Sequence, residues 1–176
     1  MTFKQSYIPW IKPKDWYEAN KTLSKLIQDN LNQLNKAIAL AKKIEQQFNS
    51  IFPLLDHLCS LTCTKCPDPC CLRATIWFDF KDLLFLHLTS QALPIRQTIS
   101  TNNNKCPYSS RQGCQLPRLS RPWICTWYIC PDQKRLLGQD PGFTKTRIYD
   151  SLESIKSLRK RLEDLFIDSL KPRSKY

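Results

Sequence analysis

The chain carries nine cysteines, and their spacing is its clearest chemical feature. The first group reads Cys63-Thr64-Lys65-Cys66-Pro67-Asp68-Pro69-Cys70-Cys71. Two thiolates separated by two residues can reach one ion, at about 2.3 Å for a zinc–sulfur bond. Pro67 and Pro69 stiffen the loop between Cys66 and Cys70, which lowers the entropy lost when ligands assemble. In an extended segment the adjacent Cys70 and Cys71 would point to opposite sides. Either one of them ligates and its neighbour is spare, or the pair serves two ions or one polynuclear cluster. The second group is Cys106, Cys114, Cys125 and Cys130. The eight thiols of Cys63, Cys66, Cys70, Cys71, Cys106, Cys114, Cys125 and Cys130 match two four-thiolate sites, or one richer cluster with thiols to spare. The metal this donor set suits is zinc or iron, an iron–sulfur cluster included. The competing reading is disulfides or isolated buried thiols, but such close spacing is hard to produce by core packing. Cys59, four residues before Cys63 on an expected helix, reads as a core thiol first and a ligand second.

The order Cys63-x2-Cys66-x3-Cys70-Cys71, Cys106-Pro107, Gly113-Cys114, Arg121-Pro122-x2-Cys125 and a final Cys130 resembles the YkgJ-type cysteine-cluster family. That family is also called the CxxCxxCC domain and is described as zinc- or iron-chelating. The likeness covers residues 63–130, under half of the chain, and implies a metal site held by these cysteines. Flagellin lysine-N-methylases look like relatives with a similar cluster, so the resemblance also admits an enzyme. Here three residues rather than two precede the double cysteine, and Pro69 stands where the family commonly has Gly. The stretches that flank residues 63–130 lie outside the likeness, and any partner function they carry is not implied by it.

Other polar residues near the cysteines have plainer roles. Arg121 is suited to charge-assisted bonds with a thiolate cluster, or to the surface before a turn. Trp123, Trp127 and Tyr128 are expected in the core, where they would also keep water from a metal. His57 and His87 are expected to be structural rather than ligands. Asp79 and Asp82 read as helix caps, not as an acid–base pair. No Ser-His-Asp or Cys-His arrangement is legible, so no catalytic residue is assigned. The absence of G-x-G-x-x-G and Walker patterns removes the usual phosphate cradles.

Positioning these cysteines requires a scaffold, and three regions differ in composition. Residues 15–52 lack cysteine and proline and repeat apolar residues at steps of three and four: Leu23, Ile27, Leu31, Leu34, Ile38, Ala41, Ile44 and Phe48. This spacing predicts one long amphipathic helix, with Asp15 as N-cap and Pro53 as its end or kink. Residues 54–132 form the cysteine-cluster region. Within it the pattern predicts a short helix over 54–61, a short strand at 75–78, and a helix that starts at Asp79 or Asp82 and is closed by Pro94. A polar Asn-rich loop follows at 100–105. After a turn at 140–142, a second amphipathic helix is expected over 146–170, packed on the first. Its charged face carries Lys156, Arg159, Lys160 and Arg161 and reads as solvated, or as a dock for an acidic protein.

The fold class is thus mainly α and single-domain: long N- and C-terminal helices around a cysteine-rich, loop-rich core stabilised by metal. Such a core is too small to order without its ion, which couples binding to folding. The net charge of +12 is partly offset once thiolates bind metal, by about four if eight thiolates hold two divalent ions. A nucleic-acid partner is therefore not the default, and a protein partner would use the terminal helices or the basic face. No apolar run approaches a signal-peptide core or a membrane span. An odd number of cysteines fits a reducing cytoplasm. The functional expectation is a metal-binding cysteine-cluster protein. An iron–sulfur redox protein or sensor, or an enzyme related to the methylases, are the alternatives.

Overall fold

The computed structural model describes residues 8–99, 106–110, 113–139 and 143–171, except for the side chains of Lys65, Cys71, Arg73, Phe143 and Thr144. The expected loop at 100–105 and turn at 140–142 lie outside the described residues. The described chain is mainly helical.

Where one helix was expected over 15–52, two form. Helix α1 spans Pro13–Asp29 and buries Trp16, Asn20, Leu23 and Ile27 on one face. Pro13 stands in its first turn, where a missing N–H costs nothing. At its end the Asn30 side chain competes for a helix carbonyl, and Asn35 bonds the turn that follows. Asn30 Nδ2 donates to Leu26 O at 2.9 Å, and Asn35 Nδ2 donates to Asn32 O at 3.2 Å. Helix α2 then spans Asn35–Thr62, about 42 Å at 1.5 Å per residue. It runs straight past the expected stop at Pro53 and absorbs the separate helix expected over 54–61. A proline inside a helix leaves one carbonyl unserved. Here that carbonyl belongs to Asn49, which is exposed to water, while Ile51, Phe52 and Leu55 on the opposite side are buried.

Short elements follow. A 3-10 turn at Cys63–Lys65 leads to α3 (Cys70–Arg73) and then to α4 (Phe80–Leu88). Strands β1 (Ser109–Ser110) and β2 (Gly113–Cys114) pair antiparallel, Ser109 opposite Cys114. Gly113 has φ +107°, a backbone conformation that costs other residues dearly. A second 3-10 turn at Arg118–Ser120 precedes α5 (Ile124–Trp127), α6 (Pro131–Gln139) and α7 (Phe143–Leu170). Helix α6 was not anticipated.

The most extensive helix–helix contact joins α2 and α7, and α4 packs on α7, α2 and α1. Helix α7 buries Ile148, Leu152, Ile155, Leu162 and Phe166, the stripe expected of it. Phe48 of α2 anchors an aromatic cluster with Phe52, Phe85 and Trp123 at 5.3, 5.3 and 6.0 Å between ring centres. Helix α4, from the region expected to depend on metal, therefore belongs to the apolar core.

The expected strand at 75–78 is extended but pairs with no strand among the described residues. Side chains satisfy its backbone instead. Gln97 Oε1 accepts from Phe78 N at 2.7 Å, Gln97 Nε2 donates to Phe78 O at 3.1 Å, and Thr98 Oγ1 donates to Ile76 O at 2.6 Å. Helix α4 opens on the expected cap. Asp79 accepts from Asp82 N and Asp82 accepts from Asp79 N, a reciprocal capping box. It closes at Ser90, not at Pro94. Gln91 N donates to Leu86 O and Ser90 N to His87 O, with Ser90 left-handed at φ 54°. This is a Schellman ending.

Candidate metal centre

The cysteines attach to the scaffold at two places. The C-terminal turn of α2 carries Cys59, and Cys63 caps that helix. Cys66 ends the 3-10 turn that begins at Cys63. Cys70 and Cys71 begin α3, with Leu72 N bonded to Pro69 O at 2.9 Å and Ala74 N to Cys70 O at 2.8 Å. The adjacent pair thus lies in a helical turn rather than in an extended segment. The side chain of Cys71 lies outside the described residues.

Around the end of α2 the sulfurs interact. Burial pushes the Cys63 thiol up to about 11. The nearby Cys59 adds to this through its charge and a hydrogen bond, and Cys70 through its charge, while a bond from Thr62 opposes. Cys130, distant in sequence, joins them through Gln133. Cys130 Sγ accepts from Gln133 N at 3.5 Å, while Gln133 Oε1 accepts from Cys130 N at 3.3 Å. This is a capping box on α6 in which sulfur replaces a hydroxyl. Gln133 Nε2 then donates to Cys59 Sγ at 3.6 Å and to Thr62 Oγ1 at 3.4 Å. Arg118 Nη2 also donates to Cys59 Sγ, at 3.4 Å.

The second group is Cys106, Cys114 and Cys125. Ser109 N bonds Cys106 O at 3.1 Å and Gln115 N bonds Tyr108 O at 2.8 Å, which folds the hairpin back toward Cys106. Tyr108 fixes this fold to the chain by donating to Arg96 O at 2.8 Å and accepting from Arg96 N at 3.0 Å. Burial pushes the Cys125 thiol strongly up, and the charges of Cys114, Cys106 and Asp82 act in the same direction. Arg121 opposes them, so its charge reaches this sulfur, although its Nε donates to Leu116 O at 2.9 Å. The Cys125 loop is pinned by Trp123 N, which donates to Asp82 Oδ1 at 2.9 Å.

The spatial grouping therefore differs from the order along the chain. Cys130 sides with the end of α2, and Cys59 belongs among the sulfurs. The signals that could have revealed this were Cys59 one helical turn before Cys63, and Pro131 and Gln133 as first-turn residues of a helix capped by Cys130.

Other expected residues stand apart. His87 Nε2 meets Asn20 Oδ1 at 3.0 Å between α4 and α1, and burial lowers its pKa. His57 is exposed. Trp123 packs in the core, but Trp127 and Tyr128 are exposed at 46% and 45%, edge to face with each other, so neither is buried over the thiols as expected. Arg159 is not on a solvated face. It is 2% exposed and paired with Asp82 and Asp79, whereas Lys156, Lys160 and Arg161 are exposed.

No disulfide joins the eight cysteines whose side chains are described. Among the described residues no three His, Cys, Asp or Glu side chains converge closely enough to hold a metal ion. The donors themselves, thiols in two groups with Arg118 and Arg121 beside them, have the chemistry that zinc or iron takes. Among the described residues no helix is long and apolar enough to cross a membrane. Comparison with family models, curated proteins and solved structures found no match to this chain.

Proposed function

We propose that this chain is a metal-binding cysteine-cluster protein that takes zinc or iron through its thiolates, and that it is akin to the YkgJ-type family its motif resembles. The observation that carries this reading is the gathering of sulfurs from segments far apart in sequence. Cys59, one turn before Cys63, meets the Gln133–Cys130 box, and the charges of Cys114 and Cys106 reach the Cys125 thiol. Bound metal would supply thiolate cross-links between α2, the hairpin and α6, and lower the charge repulsion among the sulfurs. The chain's own part is to hold the thiols near one another and to place Arg118 and Arg121 beside them. Such chemistry suits the cytoplasm, where thiols stay reduced.

The test is purification without oxygen, followed by metal and acid-labile sulfide analysis and a visible spectrum. Stoichiometric zinc with no colour supports a zinc clip. Iron with sulfide and visible absorption supports an iron–sulfur cluster. Neither metal at stoichiometric level overturns the reading.

A further inference from the structure

Trp127 and Tyr128 face water although they sit among the cysteines. They are 46% and 45% exposed and meet edge to face, with 6.2 Å between ring centres and 79° between planes. Such a contact uses one face of one ring and leaves the other faces free to stack. The segment that carries them is anchored just beyond. Ile129 is 5% exposed, and Cys130 and Gln133 bond each other at the start of α6.

The charge around this pair is one-sided. From Leu83 to Pro131 the sequence contains no Asp or Glu, yet it carries Arg96, Lys105, Arg111, Arg118 and Arg121. Lys134 and Arg135 follow on α6, and both are exposed. Against these cations stands Asp132 alone, so residues 83–139 carry +6, half of the net charge of the chain. Asp132 pairs with Arg135 at 2.9 Å, a surface contact that a phosphate can replace. Four thiolates on one divalent ion would lower the local charge by about two and leave it basic. At about 3.5 Å per extended residue and 1.5 Å per helical residue, Lys134 lies within about 15 Å of Tyr128 along the chain. One strand can therefore touch both.

We infer that Trp127 and Tyr128, with Lys134 and Arg135, form a docking surface for single-stranded nucleic acid, on which bases stack against the rings and phosphates meet the cations. A second copy of this chain would set like charge against like charge. A bilayer takes up aromatic residues together with aliphatic ones, and here the adjoining Ile129 is buried in the core. An acidic peptide would use the cations and leave two large rings wet. The inference goes beyond metal binding and does not depend on it.

The test is fluorescence anisotropy of labelled oligouridylate and oligothymidylate, each of about twelve nucleotides, with the full reduced chain at low salt. Binding should weaken as salt is added. Trp127→Ala with Tyr128→Ala should lower affinity about tenfold or more at unchanged helicity. Trp127→Phe with Tyr128→Phe keeps stackable rings and should stay within about threefold of the unaltered chain. Lys134→Gln with Arg135→Gln should lessen the slope of log affinity against log salt by about 1.4. Failure of both oligonucleotides to bind, or binding that the alanine pair leaves unchanged, would overturn the inference. So would ring-dependent binding to phosphatidylserine vesicles in place of the oligonucleotides, which would give the rings to a membrane surface.

Discussion

Arg159 Nη2 of α7 lies 2.8 Å from Asp82 Oδ1 of α4, and both side chains are almost wholly buried. The same guanidinium reaches Asp79 Oδ1 at 3.1 Å and lies over the Trp123 ring at 5.5 Å. Asp82 in turn accepts from Trp123 N. One buried ion pair thus ties the C-terminal helix to the start of α4 and to the loop that carries Cys125.

Arg159→Met should therefore destabilise the protein by about 3–5 kcal/mol, since it leaves Asp82 buried without its cation. Urea unfolding at neutral pH measures this. Arg159→Lys should recover only part of the loss, because one ammonium cannot reproduce the planar fork that serves both carboxylates. A wild-type midpoint in Arg159→Met would contradict the tie.

The pair also sets a pH dependence. Burial raises Asp82 to about 6 from 3.8, and the Asp79 charge adds to this, while Arg159 opposes. Asp79 is half-buried, and Arg159, the Asp82 N–H and Lys81 outweigh its desolvation and lower its pKa. A raised carboxyl holds its proton more tightly folded than unfolded. Asp82 therefore adds stability as pH falls from about 6 toward 3.8. Asp79 works in the opposite sense: its contribution is present above 3.8 and is lost as pH falls below that. The difference in unfolding free energy between wild type and Asp82→Asn should shift toward wild type by on the order of 2 kcal/mol on acidification through this window. A difference that does not change with pH would refute it.

Ser90 offers a test of the helix ending. It holds φ 54° at the position after the Thr89 C-cap, where glycine is usual. Ser90→Gly should stabilise by about 0.5–1 kcal/mol, as relief of the left-handed strain exceeds the entropy cost of glycine. Thermal unfolding checks this, and a lower midpoint would contradict it.

Chelation should act locally. The apolar core of α1, α2, α4 and α7 contains no cysteine, so it does not need a metal to order. On the proposed metal-binding reading, chelation should quicken amide exchange in residues 63–75 and 113–130, while residues 37–58 of α2 and 148–166 of α7 keep their protection. Uniform loss across all helices would mean that the ion holds the whole fold rather than the cysteine-rich region alone.

The mainly helical class, the C-terminal helix with its apolar stripe and the Asp79 cap were legible in the chain, because each rests on periodicity or spacing within a few residues. The break at 30–34 and the passage of α2 through Pro53 were not. Asparagine side chains compete with the helix at one place, and buried Ile51, Phe52 and Leu55 outweigh the cost of proline at the other. Arg159 looked like one more charge on a basic face until packing set it against Asp82. Cys59 was expected as a core thiol first, and the fold brings Arg118 and Gln133 to its sulfur from residues distant in sequence. By itself the sequence determined where thiols crowd along the chain and which stretches coil. Only the tertiary structure decided which sulfurs and which charges meet, since those pairings depend on contacts between helices that no local pattern encodes.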